Sequence, residues 1–298
     1  MEDRRRRVFI VMQLVYITIV SILMLFLVFL GRLDAILYDP PISPGGWCTL
    51  QPCIDLGTIT ISRPTSSVFV YATAVVTLYT GIYFYRNQNK QQSRYWWGIS
   101  LILMGMGALF AGTSYQAFGF EIKCSGNESC VWTSWWELSY NLLTVISACT
   151  IFIAVSCSIV EPSYIKYISS IMAVDILIYT AVLFYGGFSS IRFLISFEML
   201  IIFALPIFAA VLVLCIVKVS KQKDPLAKKL LLGCILLLST IFIYYGYSMA
   251  GLTQMLWERG IWFSDNDVLH ILMIGWVGYI RLYMEKDVVD FEKISNEA

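Results

Sequence analysis

Three short polar clusters contain the side chains of this sequence that could do chemistry. Glu137 and Asn141 are four residues apart, as are Asn266 and His270, so on helices each pair would share one face. Carboxylate, amide and imidazole groups in one place could bind a polar ligand, and the carboxylate could act as a general base. The candidate pocket residues are Ser114, Tyr115, Gln116, Glu137, Asn141, Asn266, Asp267 and His270.

Each candidate also has an ordinary structural interpretation. Asp267 could cap a helix, because Asp, Asn and Ser are favoured at helix N-termini. His270, the only histidine of the chain, could be an interfacial residue with a hydrogen-bonded ring. These interpretations are favoured for each residue alone, and the coincidence of three clusters favours a pocket.

Long apolar segments determine where the clusters lie. Hydrophobic residues make up 58% of the 298 residues and charged residues 14%, and the mean hydropathy is +0.73. About 20 apolar residues in a helix cross a bilayer, and these runs are too long for barrel strands. We predict an all-α bundle of eight spans (one plus seven) in a single transmembrane domain, at 8–30, 66–85, 95–118, 135–159, 164–186, 191–217, 230–252 and 268–284.

Basic residues predict the orientation of the bundle. If the N-terminus lies inside, 16 of the 21 Lys and Arg residues fall in inner segments and 5 in outer segments. Excess basic charge marks the cytoplasmic side. Both termini, including the tail 285–298, are therefore predicted to be cytoplasmic, and the three polar clusters lie at the outer side of a cell membrane or secretory-pathway membrane. The apolar run 8–30 is longer than that of a signal peptide and is predicted to be retained, with a cleaved signal as the alternative.

Two outer loops contain four cysteines. Cys48 and Cys53 lie in the loop 31–65, and Cys124 and Cys130 lie between the third and fourth spans. Disulfides persist in oxidising compartments, and the spacing suggests two local bridges, although pairing between the loops stays open. Asn127 begins the glycosylation acceptor Asn-Glu-Ser on the same side, which predicts a glycoprotein. In the first loop, Thr58 to Ser62 alternates in polarity and could form a short strand.

Two carboxylates lie within predicted spans. Asp175 is near the middle of the fifth span, and Glu198 is about two turns into the sixth. Acids in a membrane are costly and are functional candidates. They could form a proton or cation relay of a transporter, or they could be neutral acids that are hydrogen-bonded for packing.

The last seven spans, about residues 66–284, resemble the superfamily of alkaline ceramidases and progestin/adiponectin receptors. Its members carry a Ser and a His near the end of the second helix, an Asp at the third and His-x-x-x-His in the seventh, and three His hold a zinc ion whose water attacks an amide. Here the segment 113–116 resembles the Ser-and-His segment, Glu137 lies near the expected Asp, and Asn266 to His270 occupy the place of His-x-x-x-His.

The chain departs from that zinc-ligand set. A catalytic zinc site needs three protein ligands and an open position, and one histidine cannot supply three. The resemblance therefore implies that zinc hydrolysis has been lost, so that no cofactor is expected beyond a weakly bound metal at His270.

We predict a multi-pass membrane protein of receptor-like or ligand-binding type, leaning away from an enzyme, that contacts membrane lipids and binds a lipid or small molecule. The alternatives are a lipid amide hydrolase-like enzyme with Glu137 or Asp267 as base, and a transporter using Asp175 and Glu198. The net charge of +1 gives no sign of a nucleic-acid partner.

Overall fold

A computed structural model of the protein describes Leu33 and residues 36–291, apart from the side chain of Gln222. In this part of the chain, seven helices are long and apolar enough to cross a membrane, so the protein is an all-α membrane helix bundle. The predicted span 8–30 and residues 292–298 of the predicted tail lie outside the described residues. The seven helices are α1 (Pro64–Arg86), α2 (Gln92–Ala111), α3 (Trp135–Ile159), α4 (Pro162–Phe188), α5 (Phe197–Gln222), α6 (Pro225–Met249) and α7 (Asp265–Tyr279).

The helix α3 is the most buried of the seven. In its most apolar stretch 89% of the residues are buried inside the protein, so α3 faces other helices rather than lipid on almost every side. It packs against α2, α4 and α5, whereas α7 packs against α1 and α6, and α6 packs against α5. The helices α1, α2, α3, α5, α6 and α7 therefore form a closed ring.

The helices α1 and α2 approach each other through glycines. A Cβ atom on Gly98 would lie 2.7 Å from the backbone nitrogen of Tyr85, and a Cβ atom on Gly81 would lie 2.7 Å from that of Ile102. Small residues allow such close backbone contact between membrane helices. At the end of α2 the helix continues as a π-helical turn, Gly112–Ala117, which carries the first polar cluster.

We call the end of the bundle where α1 begins the disulfide end. The predicted local bridges are confirmed: Cys48 pairs with Cys53 and Cys124 pairs with Cys130. The predicted strand is also present, because β2 (Thr60–Ser62) pairs antiparallel with β1 (Cys53–Asp55). The same end carries short helices at Pro44–Trp47, Gly119–Lys123 and Leu252–Glu258.

At the opposite end, the segment that follows α7 returns to α2. A second π-helical turn, Ile280–Met284, follows α7. The carboxylate of Glu285, directly after it, forms an ion pair with Arg94 at 2.8 Å. Both carboxylate oxygens of Asp290 accept hydrogen bonds from the first amides of α2, at 2.8 Å from Gln92 and 2.7 Å from Ser93. This segment fixes the last spanning helix against the second.

The predicted start of the sixth span is wrong. Residues Arg192–Ile195 form a 3₁₀ turn, and α5 begins only at Phe197, after Ser196, whose Oγ accepts a hydrogen bond from the amide of Met199 at 3.4 Å. Glu198 therefore lies exposed in the first helical turn rather than two turns into the membrane. A negative charge is favourable there, because the positive end of the helix dipole is at the N-terminus. The seventh and eighth spans begin earlier than predicted, at Pro225 and Asp265, because Asp224 and Ser264 cap them.

Candidate functional site

The first polar group at the disulfide end is centred on Glu137, which is 1% exposed at the start of α3. Its Oε1 lies 2.5 Å from the ammonium of Lys123 and accepts a hydrogen bond of 2.8 Å from the hydroxyl of Ser114. Its Oε2 accepts one from Thr133, also at 2.8 Å. Both oxygens of this carboxylate are therefore bonded to protein groups.

Lys123 is the residue of this group that sequence reasoning missed, because it looked like an ordinary loop cation. Its side chain is 2% exposed, and its ammonium also donates to the carbonyl of Trp132 at 3.1 Å. The ammonium lies 4.9 Å from the centre of the Tyr115 ring. Lys123 directly precedes the bridged Cys124, and this position next to a compact disulfide turn was the available signal of burial. The ion pair joins the loop to α2 and α3.

The second polar group lies at the start of α7 and contains Asp267. The Asp267 carboxylate accepts a hydrogen bond of 2.6 Å from the amide of Ser264, and the Ser264 hydroxyl accepts one of 3.4 Å from the amide of Asp267. The interpretation of Asp267 as a helix cap is therefore confirmed, in the form of a reciprocal capping box. Thr65 donates to the same carboxylate at 3.2 Å, and Ser66 lies 3.0 Å from Ser264, so the cap also joins α7 to α1.

His270 is oriented by its own helix. Its Nδ1 lies 2.8 Å from the carbonyl oxygen of Asn266. A carbonyl only accepts, so Nδ1 carries the proton, and in the neutral ring Nε2 remains as an acceptor. The backbone carbonyl of His270 in turn accepts a bond of 3.2 Å from Thr73 on α1. Asn266 and His270 do share a face, but their contact uses the backbone of Asn266 rather than its amide side chain.

The two polar groups do not merge. Within the described residues, no hydrogen bond or ion pair joins Ser114 or Glu137 to His270. Aromatic residues adjoin the first group: the ring of Tyr115, which contacts the Lys123 ammonium, meets the ring of Tyr140 edge to face at 6.2 Å. Tyr115 is 36% exposed although it contacts the buried Lys123, so accessible space adjoins the first group.

Several predicted pocket residues carry buried polar atoms without a partner. In the described part of the chain these atoms are Gln116 Oε1, Asn141 Oδ1, Asn266 Nδ2 and Asp267 Oδ1. Buried polar atoms in proteins nearly always have a hydrogen-bond partner, and each exception needs an explanation. Asn141 uses only its amino group, which donates to the carbonyl of Ile195 at 3.2 Å. The disulfide end therefore has unused capacity for hydrogen bonds, and other buried atoms of the described bundle, such as Ser93 Oγ and Trp97 Nε1 near the opposite end, have it as well.

The two intramembrane acids of the sequence prediction do not lie on a shared path. Asp175 on α4 accepts a hydrogen bond from the Cys149 thiol on α3 at 3.6 Å, whereas Glu198 is exposed at the start of α5. No hydrogen bond between described residues links the two acids. Over the same residues, no three His, Cys, Asp or Glu side chains gather as a metal site.

The fold and this site define a multi-pass helical membrane protein with two buried polar groups and an aromatic cluster at one end. Residues 65–284 match the sequence model of a family of unknown function, DUF6962, and the chain belongs to that family. The match contains nearly the whole bundle from α1 to the π-helical turn after α7, but not the first disulfide loop. No curated protein and no solved structure matches the chain.

Proposed function

We propose that this protein is a receptor-like, ligand-binding membrane protein whose pocket lies at the disulfide end. The observation that carries this proposal is the presence of partnerless buried polar atoms in both regions, those of Gln116 and Asn141 at α2 and α3 and those of Asn266 and Asp267 at the start of α7. They lie at the same end as Tyr115, a residue that is 36% exposed. A ligand with hydrogen-bonding groups would satisfy atoms that the protein itself leaves unbonded.

The proposal includes eight spans with both termini in the cytoplasm, so that the pocket opens on the extracytoplasmic side. Both disulfides lie at the disulfide end, and disulfides persist in oxidising compartments. At the opposite end, five lysines (Lys218, Lys221, Lys223, Lys228 and Lys229) lie in the turn between α5 and α6 and in the helix ends beside it, as is typical of the cytoplasmic side. Asn127 lies in the turn closed by the second disulfide and would be glycosylated on that side.

Neither alternative function has an observation in its favour. In a hydrolase, Glu137 or Asp267 would act as general base, but Glu137 accepts bonds at both oxygens and Asp267 caps α7. The resemblance to ceramidases and progestin/adiponectin receptors therefore supports a receptor-like protein better than an enzyme. A transporter would need a path between Asp175 and Glu198, and the exposed position of Glu198 at a helix start gives it none.

The test is the inventory of small molecules, lipids and metals that copurify with the protein. We would compare wild type with Asn141→Ala, Gln116→Ala and His270→Ala by mass spectrometry and metal analysis, and use the exposed Asn87→Ala at the opposite end as control. We expect a molecule present in wild type and in Asn87→Ala to be depleted in the first two variants. The same inventory in every protein would contradict a ligand pocket, and an inventory unchanged in His270→Ala alone would exclude that ring as a contact.

A further inference from the structure

Arg63 is held in an unusual conformation directly before α1. Its backbone is left-handed (φ 45°, ψ 64°), a region that residues other than glycine rarely adopt. Its Nε donates a hydrogen bond of 2.6 Å to the side chain of the buried Gln51. The guanidinium carbon lies 5.7 Å from the centre of the Trp257 ring, in the range of a cation–π contact. Two contacts thus fix the orientation of the guanidinium.

The terminal nitrogens of this guanidinium have no partner in the described part of the chain. Nε forms the one hydrogen bond of the side chain there, and no described carboxylate forms an ion pair with it. Burial lowers the pKa of Arg63 below its ordinary value, while the negative charge of Asp265 acts in the opposite direction. An arginine remains charged in proteins, so a cation without an ion-pair partner among the described residues lies at the disulfide end.

Asp265, in the first turn of α7, is the matching anion. The negative charge of Asp265 favours the charged form of Arg63. The carboxylate of Asp265 accepts a hydrogen bond from the amide of Asn266 at 2.8 Å, and no described cation pairs with it. The contact of 3.0 Å between the hydroxyls of Ser66 and Ser264 holds the two segments together. The segments that carry the two opposite charges are therefore bonded to each other, and the charges themselves form no ion pair in the described chain.

Tyrosines of α6 lie beside the start of α7. The ring of Tyr247 meets that of Phe263, two residues before Asp265, edge to face at 6.4 Å, and the charge of Asp265 acts on both Tyr244 and Tyr247. The Tyr247 hydroxyl is buried and has no hydrogen-bond partner in the described chain. A carboxylate beside aromatic rings is a favourable environment for an ammonium group, whereas the planar guanidinium suits a carboxylate or phosphate.

We infer that Arg63 and Asp265 together bind a zwitterionic ligand, with its carboxylate or phosphate on the guanidinium and its ammonium between Asp265 and Tyr247. A simple anion would also meet the charges of Asp265 and Asp267, and a simple cation would meet Arg63. A ligand that carries both charges pairs with each group. This inference rests on the proposed function and names the ligand class of that pocket. A free amino acid and the phosphocholine head of a lipid share this chemistry.

The test measures thermal stabilisation and affinity of the purified full-length protein with probes of known charge. The zwitterionic probes are individual amino acids and phosphocholine, and acetate and methylammonium supply one charge each. We expect a zwitterionic probe to raise the melting temperature while the single-charge probes do not. Lipid nanodiscs of phosphatidylcholine and phosphatidylglycerol, which lacks the ammonium, show whether the source is a lipid head.

Three variants locate the site. Arg63→Gly, Asp265→Asn and Arg63→Gln should each weaken binding about tenfold or more, because each removes one charged partner. Arg63→Gly suits the left-handed backbone, so it should remain folded while it loses the ligand. Arg259→Gln, at an exposed arginine of the same end, is the matched control and should bind as wild type.

Three results would overturn the inference: no response of the wild type to any zwitterion, an equal response to single-charge probes, or unchanged affinity in the Arg63 and Asp265 variants. If zwitterions fail while Asn141→Ala still loses a copurifying molecule, the proposed pocket stands and only its ligand class is wrong. If both experiments fail, the proposed function fails as well.

Discussion

At the scale of single residues, the Lys123–Glu137 ion pair is the principal contact of the disulfide end. Both side chains are almost fully buried, and their contact of 2.5 Å is supported by Ser114 and Thr133. Buried ion pairs contribute little net stability, but an unpaired buried charge is costly. The loop between α2 and α3 can therefore pack in this buried position only when both charges are present.

We predict that Glu137→Gln destabilises the protein strongly, because it leaves the Lys123 ammonium buried without a counter-charge. The expected loss is about 3–5 kcal/mol, measured as a lower melting temperature in detergent. Glu128→Gln, at an exposed position of the same loop, is the control and should change little. The double variant Lys123→Met/Glu137→Gln should recover part of the loss. A melting temperature of Glu137→Gln equal to that of wild type would show that the ion pair is not buried.

A second residue-scale prediction concerns the carboxylates of the segment after α7. Asp290→Ala removes the acceptor of two amides at the start of α2 and should cost about 1 kcal/mol, as the loss of a helix cap does. Asp287 instead pairs with Lys229, and both side chains are about two-fifths exposed. Exposed ion pairs contribute about 0–1 kcal/mol, so Asp287→Ala should have the smaller effect in a thermal melt. Equal effects would contradict the capping role of Asp290.

At the scale of elements, the contact between α1 and α2 holds the first polar cluster in place. The two backbones meet at Gly81 and Gly98, and farther along the same pair of helices the hydroxyl of Tyr71 lies 3.1 Å from that of Thr113. A change in the distance between α1 and α2 would therefore also move the π-helical turn that carries Ser114 and Gln116.

We predict that Gly98→Ala destabilises the bundle, because its new methyl carbon would lie 2.7 Å from a backbone nitrogen of α1. Overpacking of this kind typically costs about 1–3 kcal/mol. Gly246→Ala in α6 is the control, since a Cβ atom there would meet no atom within 4 Å. Alanine should even favour that helix by up to about 1 kcal/mol. Thermal unfolding compares the two, and equal melting temperatures would contradict the close contact.

Sequence patterns predicted the elements better than their ends and partners. Hydropathy located all seven described spans because an apolar run of helix length has few other uses. It misplaced the start of α5. The apolar residues directly before Ser196 continue the hydropathy of the span, but they form a short 3₁₀ turn rather than part of the helix. Local spacing also found both disulfides. The buried partner of Glu137 could not be found in this way, because Lys123 comes near it only through tertiary packing.

At the scale of the whole molecule, the orientation in the membrane decides which environment the proposed pocket meets. Arg63 shows which features could be predicted from the sequence and which could not. Basic residues are scarce on the predicted outer side, which marks Arg63 as unusual there. Only the fold brings it near Asp265, because about 200 residues separate the two along the chain.

We predict that Asn127 carries a glycan when the protein is made in a secretory system. Treatment with an N-glycosidase should then increase gel mobility of the wild type and of Asn87→Gln, but not of Asn127→Gln.

A tag at the C-terminus should be reached by antibody only after the membrane is permeabilised, because that end is predicted to be cytoplasmic. If the tag were accessible on intact cells and the glycosidase caused no shift, the orientation would be the reverse of the predicted one.

The helix α7 is attached to other helices at both ends, and this limits how the two sides of the membrane can move. Its first turn is bonded to Thr65 and Ser66 of α1, and the residues after its last turn are bonded to the start of α2 through Glu285 and Asp290. A displacement at one membrane surface must therefore reach the other surface or be absorbed by bending of α7 itself. Helices commonly bend at π-helical turns, and α7 is followed by such a turn at Ile280–Met284. Its bonds at both ends thus allow α7 to transmit a displacement from one end of the bundle to the other.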